Sequence, residues 1–450
     1  MKQDEFNKKF RDYAQTLSPK PEESSLIGKI YKSFEDFLGI NNCLQIGSYP
    51  RFTSITPVHD LDILYILGYW NENNHDSSTI LERLNTQIKE RYKNPTDYEI
   101  KVIPQTHSVT ISYSEDNSEI FSVDIVPAYI FSKNDFNEDT YKVPEVIREK
   151  RGKNRNEYYR KLIQENNQMG WISSDPRGYI KVASNTDETT KGEFRKTVKI
   201  IKKWNNNLDD KDNNLKLKSF HLEQIITNFF QKNNNIEIFD VIFDFFIKLP
   251  ETLDNPNQIK DRANNDKFID DYLSDFTEEQ KAKIKQARDG FLIKLERLKE
   301  SDSIEELLEI EFYQRQPIIK PTEEFLFDRE TKTFIDREIL FKIDGQVEPV
   351  EGFSSGWLTE TPQLQKGLTQ GPGKTRKIRF SIRQGKELTD EYRWKVKNSN
   401  TCDQPRGEIT LNQTKNNPES TEYSGNHYVE CYAIKNNTCI AKSKVPIKIL

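Results

Sequence analysis

Two acidic side chains interrupt an apolar segment near the start of the chain. Asp60 and Asp62 lie in the sequence HDLDILYIL, which is otherwise rich in Leu, Ile and Tyr. Side chains two residues apart in a strand share a face, so both carboxylates are expected on one side and Leu61, Ile63 and Tyr65 on the other. Neighbouring carboxylates repel each other and lose hydration on burial, and a bound cation offsets both effects. The pattern therefore indicates a cation site at the mouth of a buried strand.

Two further features complete this candidate site. Gly47 and Ser48 precede the strand; glycine permits close approach of a phosphate, and the serine hydroxyl and N–H can donate to it. Asp124 lies in a later apolar segment, EIFSVDIVPAYIF, and would add a third carboxylate. Magnesium prefers oxygen ligands, and two ions about 3.5–4 Å apart can serve an attacking hydroxyl and a leaving pyrophosphate. These residues predict a site for two Mg²⁺ (or Mn²⁺) ions, held by Asp60, Asp62 and Asp124.

The elements around these residues predict an α+β fold class. Apolar periodicity predicts a helix through Phe6, Phe10 and Tyr13, and a second one capped by Ser24. The strand with the two aspartates, a helix at 76–93 and strands at 98–103, 107–113 and 119–131 then form a palm. Helices follow at 156–168, 192–206, 219–232, 236–247 and 277–299 and form a helical lobe.

Short alternating strands replace the helices after Pro317 and predict a small C-terminal β-sandwich. Its strands are expected at 377–382, 392–396, 407–411, 428–434 and 445–449, with a long loop at 352–373. The predicted domains are a palm with N-terminal helices at 1–185, the helical lobe at 186–318 and the β-rich domain at 319–450.

Composition limits the classes of protein to consider. The net charge of −5 over 450 residues argues against a protein that mainly coats nucleic acid. No apolar stretch is long enough to span a membrane, and the N-terminus lacks a signal-peptide core, so a cytoplasmic protein without membrane contact is expected. A zinc site from Cys402, Cys431, Cys439 and His427 is disfavoured because the spacing contains no CxxC pair.

Three motifs in this order carry a family resemblance. The segments GSYPRFTSI, HDLDILYI and SVDIVPAYI resemble the motifs of the DNA-polymerase-β-like nucleotidyltransferases. More narrowly, they resemble the bacterial cyclic GMP-AMP synthase/DncV-like family of antiphage (CBASS) systems, over roughly residues 25 to 230. The resemblance implies nucleoside triphosphate (NTP) substrates and a cyclic di- or trinucleotide product that a downstream effector detects. No zinc insertion of the animal DNA-sensing enzymes is present, so activation by DNA is not implied.

Two helical segments extend this resemblance to nucleotide-binding residues. KIIKKWN and LKSFHLE resemble the family's lysine-bearing helix and its following Ser-aromatic-x-x-Glu helix. By this resemblance Lys202 contacts the donor triphosphate, with Lys199 or Lys203 as alternatives. Ser219 reaches the triphosphate or ribose, and Phe220 stacks on the base, as aromatic side chains do on single-stranded nucleic acid. WISSDPRGY resembles the family's loop over the active site.

The C-terminal segments EYRWKVKNSNTC, RGEIT and TEYSGNHYVECYAIKNNTCIAKSKVPIKI resemble the sensor domain (AGS-C type) that accompanies such synthases. The resemblance implies that this domain binds a ligand, with a nucleotide as one candidate; a stabilising or oligomerising module is the alternative. The residues of interest are Arg406, Gly407, Thr421, Tyr423, Gly425, His427 and Glu430.

Two alternative functions stay open, whereas two segments that suggest other ligands are set aside. The palm could transfer a single nucleotide to tRNA or a protein, or could be a non-catalytic nucleotide-binding sensor. The basic segment 147–161 could bind RNA or substrate phosphates, but a solvated helix face is the preferred explanation. GLTQGPGKT imitates a phosphate-binding loop, but Leu368 stands where that motif needs glycine.

Overall fold

The computed structural model describes residues 2–69, 76–146, 169–314, 323–369, 375–410 and 417–450. The helix predicted at 156–168 and the basic segment 147–161 lie outside these residues. The chain forms two compact units, one from Lys9–Ile284 and the other from Met1–Lys8 with Lys285–Leu450. The predicted division at residues 185 and 318 stays a prediction.

A mixed sheet of seven strands forms the centre of the first unit. In chain order its strands are β1 (Cys43–Ile46), β2 (Asp60–Tyr69), β3 (Glu99–Pro104), β4 (Val109–Glu115), β5 (Ser118–Lys133), β6 (Asp139–Val146) and β7 (Met169–Ser174). The spatial order is β1-β2-β5-β4-β3, and β6 pairs with both β5 and β7. The sequence pattern predicts β2 to β5 but gives no signal for β1, which has only four residues, or for β6, which contains Pro144.

The three helices of the palm lie at the predicted positions, except that the second begins earlier than predicted. They are α1 (Gln3–Thr16), α2 (Pro21–Leu38) and α3 (Ser77–Arg91). The prediction of Ser24 as a helix cap is wrong, because α2 already begins at Pro21 with Lys20 as its N-cap. Proline suits the first helical position, where its missing N–H would have no intrahelical acceptor.

Side-chain alternation in β2 and β5 separates an apolar face from the candidate site. Leu61 and Ile63 of β2 belong to one buried cluster, together with residues of α2 and α3. Leu64 of β2 and Ala128 of β5 belong to a second cluster on the opposite face. Asp62 shares this second face because it lies two residues before Leu64. As predicted, Asp62 lies on the face opposite Leu61 and Ile63, although the apolar Leu64 follows it on its own face.

Four helices follow the sheet in the first unit. They are α4 (Pro176–Thr189), α5 (Glu193–Lys211), α6 (Ser219–Lys232) and α7 (Ile238–Asp254). Trp204 and Phe246 are buried and meet edge to face at 4.9 Å, an arrangement that aromatic pairs favour. The prediction of WISSDPRGY as a loop is wrong. Its first four residues end β7, and the Asp175 carboxylate accepts from the Gly178 N–H (2.9 Å) as the N-cap of α4.

Smaller elements complete the first unit and begin the second. They are the hairpin β8 (Lys260–Asp261) and β9 (Asn264–Phe268), the helices α8 (Glu278–Arg297) and α9 (Ile304–Leu308), and 3₁₀ helices at Ile40–Asn42, Asp271–Asp275 and Leu326–Arg329. Across the described ranges, no helix combines the length and the apolar character that crossing a bilayer requires.

Two sheets form the C-terminal unit. The strands are β10 (Lys332–Thr333), β11 (Lys342–Val347), β12 (Gly356–Trp357), β13 (Lys377–Gln384), β14 (Glu391–Lys397), β15 (Ile409–Thr410), β16 (Glu419–Ser420), β17 (Gly425–Lys435) and β18 (Thr438–Ile449). One sheet has the order β10-β18-β17-β14-β15 and the other β12-β11-β13-β16. Trp394 and Val429 of the first sheet share a buried cluster with Ile343 and Phe380 of the second. The predicted α+β palm with a C-terminal sheet domain is confirmed, although helix α10 (Pro362–Lys366) lies inside the predicted loop.

Candidate functional site

Two adjacent parallel strands bring the acidic residues together. Strands β2 and β5 run in the same direction, with Asp62 directly opposite Asp124 and Asp60 opposite Ser122. Asp62 and Asp124 are half-buried, whereas Asp60 is exposed at the start of β2. The structure therefore places all three predicted carboxylates at one end of a strand pair, although 62 residues separate Asp62 from Asp124 in the sequence.

These carboxylates repel one another, and the repulsion changes the pKa of Asp62. The pKa of Asp62 is raised from 3.8 to about 7 by burial and, next, by the negative charges of Asp60 and Asp124. The positive charges of Arg51 and Lys202 lower the pKa of Asp62 only in part. Burial and the neighbouring carboxylates thus favour the protonated form of Asp62 when no cation is bound. A cation near Asp62 would favour its ionised form.

The Asp124 carboxylate is oriented by two hydroxyl groups, one from β4 and one from the residue that precedes it. Its Oδ1 accepts from the Ser108 hydroxyl at 3.1 Å and from the Thr110 hydroxyl. In the described part of the chain, no three His, Cys, Asp or Glu side chains are arranged as ligands around one metal position. The donor chemistry still fits a divalent cation, because carboxylate oxygens are the ligands that Mg²⁺ and Mn²⁺ prefer and their repulsion raises the pKa of Asp62.

The turn before β2 approaches the Asp62 carboxylate closely. Gly47 has a φ of +76°, and a Cβ built on it would lie 2.9 Å from Cγ of Asp62. A side chain at this position would therefore be strained in its backbone and would overlap the carboxylate. The Ser48 carbonyl accepts from the Thr53 N–H at 3.1 Å, which closes the turn. The structure places the Asp62 carboxylate against Gly47, and the close approach of a phosphate to this glycine stays a prediction.

A buried charge network fixes the far end of this turn. Glu223 of α6 accepts from Arg51 Nε at 2.5 Å and from the Thr53 hydroxyl at 2.8 Å. The Lys202 ammonium of α5 donates to the Thr53 carbonyl at 3.0 Å and lies 3.7 Å from Glu223 Oε2. The exposed fractions of Glu223, Lys202 and Arg51 are 0%, 5% and 7%. Two helices are thereby joined to the segment that follows Gly47 and Ser48.

Burial and charge pairing shift the pKa values of these buried groups in opposite directions. Burial lowers the pKa of Lys202 from 10.5 to about 8, although the Glu223 charge raises it. Burial alone would raise the pKa of Glu223, but the charges of Arg51 and Lys202 and the hydrogen bonds to the carboxylate keep it below its usual value. Glu223 is thus ionised at pH 7. Lys202 lies inside this network, and its predicted contact with a triphosphate stays a prediction.

The other predicted nucleotide-binding residues begin α6. Ser219 and Phe220 are half-buried in its first turn. The Phe220 ring meets Tyr179 edge to face at 4.7 Å, and the Arg51 guanidinium lies 5.4 Å from its centre. The proposed stacking of Phe220 on a base stays a prediction. The alternative lysine Lys199 donates to the Ser18 hydroxyl at 2.8 Å.

Several residues of the site were not assigned a role from the sequence. Arg51 and Thr53 lie within GSYPRFTSI, and Glu223 ends SFHLE, so the motifs contained them without indicating that they meet. The contacts between Arg51 and Glu223 join residues 172 positions apart. Ser108 and Thr110 were harder to identify from the sequence, because the only indication is two hydroxyl residues spaced two apart in a strand-like segment.

Two protein families match separate parts of the chain. The Second Messenger Oligonucleotide or Dinucleotide Synthetase (SMODS) domain matches residues 5–185. The Adenylyl/Guanylyl and SMODS C-terminal sensor domain matches residues 322–450. The two regions resemble, respectively, a nucleotide-polymerising palm and the sensor that accompanies it.

Individual relatives are distant. A probable cyclic nucleotide synthase of Bacillus cereus (strain VD146) is 20% identical over 224 residues, which cover 45% of this chain and 60% of that protein. The match thus spans less than two thirds of the relative's own length. The solved structure of CdnC from E. coli MS115-1 with ATP has a TM-score of 0.42 and 16% identity, covering 64% of this chain and 92% of that one. Escherichia coli DncV in its 3′-deoxy GTP bound form has a TM-score of 0.41 and 14% identity, with coverage of 67% and 83%.

Proposed function

Because this chain belongs to the bacterial cyclic GMP-AMP synthase/DncV-like nucleotidyltransferases and carries their C-terminal sensor domain, we propose that it joins NTPs into a cyclic di- or trinucleotide. The product would act as a second messenger in antiphage defence. The observation that carries the proposal is the register of Asp62 opposite Asp124 at the end of two parallel strands. Clustered carboxylates at the mouth of a palm are suited to bind cations and the phosphates that those cations carry.

The proposed metal ligands are Asp60, Asp62 and Asp124. Divalent cations are general to this family, and we propose two Mg²⁺ or Mn²⁺ ions here. When bound, such ions neutralise the phosphate charge that develops during transfer. Ionised Asp62 is the form that would bind a cation. Since the hydroxyls of Ser108 and Thr110 both donate to Oδ1 of Asp124, we assign its Oδ2 to the attacking hydroxyl.

The proposed reaction is a nucleotidyl transfer that takes place two or three times, and the last transfer closes the ring. The hydroxyl oxygen of one nucleotide forms a bond to the α-phosphorus of a second. The bond from that phosphorus to the β-phosphate oxygen breaks, pyrophosphate leaves, and the hydroxyl proton passes to Asp124. The last transfer takes place within the linear product and releases its pyrophosphate. Catalysis in this scheme rests on positioning and electrostatic stabilisation.

The turn and the helices would position the donor nucleotide. We propose that Gly47 and Ser48 contact the donor phosphates, because the turn lies against Asp62. Ser219 and Phe220 would contact ribose and base, and Lys202 the triphosphate or, through Thr53, the turn. The Glu223 network supports this assignment, since it joins the turn to the helix that begins with Ser219.

Partners follow from the same assignment. NTPs are the proposed substrates, the sensor domain indicates a ligand of its own, and a downstream effector would detect the product. We propose no membrane partner and no activation by DNA.

An incubation with labelled nucleotides tests the proposal. The purified full chain is incubated with all four radiolabelled NTPs and Mg²⁺ or Mn²⁺, treated with phosphatase and separated by chromatography. A phosphatase-resistant product is expected from wild type, absent from Asp60→Asn/Asp62→Asn and retained by Asp36→Asn, whose side chain is 68% exposed on α2. Label found only on added tRNA or protein would instead establish single transfer. Binding of NTPs without product under all conditions would establish a sensor.

A further inference from the structure

A groove of about 500 Å³ lies between one edge of the palm sheet and helix α4. One wall is a single face of α4, because the residues that it contributes are spaced three or four apart, namely Arg177, Ile180, Lys181 and Ser184. The other wall comes from α2, β1, the turn after β1 and the residue before β6, namely Tyr31, Leu44, Gln45, Pro50 and Glu138. Ligand pockets occupy about 300–1,000 Å³, so the groove has room for a small molecule.

The edge of β1 in this groove is already capped by a side chain. Strand β1 is the end strand of the sheet, and such an edge could otherwise accept an added strand. The Tyr31 hydroxyl donates to the Cys43 carbonyl at 3.3 Å, and the Gln45 N–H points to the same oxygen. Burial raises the pKa of Tyr31 to about 12, so this cap is neutral at pH 7. The groove therefore suits a small molecule rather than a peptide strand.

The Arg177 guanidinium is held in place and keeps hydrogen-bonding capacity for a ligand. Its Nε donates to the hydroxyl of the fully buried Tyr141 at 2.8 Å. Its Nη1 lies 3.8 Å from Glu138, beyond hydrogen-bonding distance, and both side chains are partly exposed, so this ion pair is weak. A guanidinium fixed through Nε can present its two Nη groups side by side, which matches the oxygens of a phosphate or a carboxylate.

Two further donors lie on the same face of α4. Lys181 is exposed one helical turn after Arg177. The Ser184 hydroxyl accepts from Arg195 Nη2 at 3.5 Å, so its own hydrogen remains available to the groove. Among the charged residues that line the groove, Arg177 and Lys181 are basic and Glu138 is acidic. This wall therefore favours a ligand with negative charge.

The groove is separate from the carboxylates of the palm. Leu44 lies opposite Leu64, two residues beyond Asp62 along β2, and the partner of Asp62 is Ile46. Of these four residues, Leu44 lines the groove. Its side chain supplies apolar surface, as do those of Pro50 and Ile180. The ligand therefore combines an anionic group with a flat or apolar body.

We propose that this groove is a second ligand site of the palm and binds a small organic anion. The anionic group pairs with Arg177 and Lys181, and the body of the molecule packs against Leu44, Pro50 and Ile180. The proposal concerns binding at the groove and does not rest on the proposed function.

Lysine labelling with pyridoxal 5′-phosphate tests this site in the full chain. The probe is a flat aromatic anion whose aldehyde forms an imine with an uncharged lysine amine and releases water; borohydride then reduces the imine to a stable amine. Mass spectrometry after proteolysis assigns the label to individual lysines, so label at the carboxylates is counted separately. Label on Lys181 should saturate, whereas label on Lys89, exposed at the end of α3, should rise in proportion to the probe.

Competitors without an aldehyde define the chemistry that the groove recognises. Pyridoxine 5′-phosphate should protect Lys181, and pyridoxine, which lacks the anionic group, should protect it about tenfold less. Stronger protection by 4-pyridoxate, which carries a carboxylate, would identify a carboxylate as the preferred group, and weaker protection would identify a phosphate. Equal protection by pyridoxine would contradict the proposed recognition of an anion.

Two substitutions and one control decide whether the groove binds the probe. Arg177→Gln removes the guanidinium and Ile180→Trp fills the groove, and each should weaken protection of Lys181 by about tenfold. Arg91→Gln, at an exposed residue of α3, should leave protection unchanged. Circular dichroism and melting curves confirm folding of each variant.

Three results would overturn the proposal. The first is label on Lys181 that rises in proportion to the probe, as on Lys89. The second is protection that survives both Arg177→Gln and Ile180→Trp in folded protein. The third is protection by ATP that requires Mg²⁺ and is lost in Asp60→Asn/Asp62→Asn, because Lys181 would then belong to the nucleotide site.

Discussion

Replacing Glu223 with glutamine tests whether the buried network stabilises the first unit. The substitution keeps the volume of the side chain and one acceptor oxygen, so no cavity forms. It removes the charge that faces Arg51 and Lys202, which are 7% and 5% exposed. Two buried cations then lack their counter-charge. We therefore expect the free energy of unfolding to fall by about 3–5 kcal/mol, the usual loss when one partner of a buried ion pair is removed.

The pH dependence of this loss of folding stability shows whether uncompensated buried cations cause it. The native pKa of Lys202 is already lowered to about 8, and without Glu223 it should fall further. A base whose pKa is lower in the folded than in the unfolded state gains folding stability as pH rises through the folded pKa. In the variant this gain begins at a lower pH than in wild type, because Lys202 gives up its proton earlier. The difference in stability between the two proteins should therefore shrink as the pH rises toward about 8, the native pKa of Lys202.

Chemical denaturation followed by circular dichroism measures both effects. The matched control is Glu279→Gln, whose side chain is 81% exposed and lies 3.6 Å from Lys283. Exposed pairs contribute little, so this variant should stay within about 0.5 kcal/mol of wild type. A Glu223→Gln variant as stable as the control would show that water or rearrangement compensates these charges. A loss that does not change with pH would show that the missing hydrogen bonds, rather than uncompensated cations, cause it.

Three further predictions concern the palm and the sandwich. Asp62→Asn should raise the melting temperature in the absence of divalent ions, and more at pH 8 than at pH 5, because the raised pKa of Asp62 makes its contribution to stability decline as pH rises toward about 7. Added Mg²⁺ should stabilise wild type at pH 8 but not this variant in thermal melts. Gly47→Ala should reduce stability and NTP binding, measured by calorimetry, since its Cβ would overlap Asp62. Gly345→Ala should lower the free energy of unfolding by about 1–3 kcal/mol in denaturation curves, because its Cβ would lie 2.8 Å from Leu358, Ile378 and Phe380.

The carboxylates were predictable because strands impose a simple rule. Alternation places Asp60 and Asp62 on one face whatever the rest of the fold does. Asp124 was predictable because an acid inside an apolar strand has few structural reasons to be there. The register that sets it opposite Asp62 depends on the parallel pairing of β2 with β5, which no local pattern encodes.

The network around Glu223 was not predictable for the same reason. Its members are separated by up to 172 residues, and each alone is an ordinary charged residue of a helix or turn. Likewise, the strand β6 contains Pro144 and alternates weakly, so local propensity gave no signal of the pairing with β5 and β7 that forms it. Contacts between distant segments produce these features. In the sequence, the residues involved are scattered and form no local pattern.

Strand β5 changes partner along one of its edges. Its first half pairs with β4 as far as Ile125, and its second half pairs with β6 from Tyr129 onward, while β2 continues along the other edge past this point. The sheet thus has a change of strand pairing, called the seam here, just beyond Asp124. Because β2 and β5 cross the seam together, the β6–β7 half could shift relative to the β3–β4 half without altering the spacing of Asp62 and Asp124. The spacing of the acids therefore depends on the pairing of β2 with β5 and not on the strands that join β5 farther along its other edge.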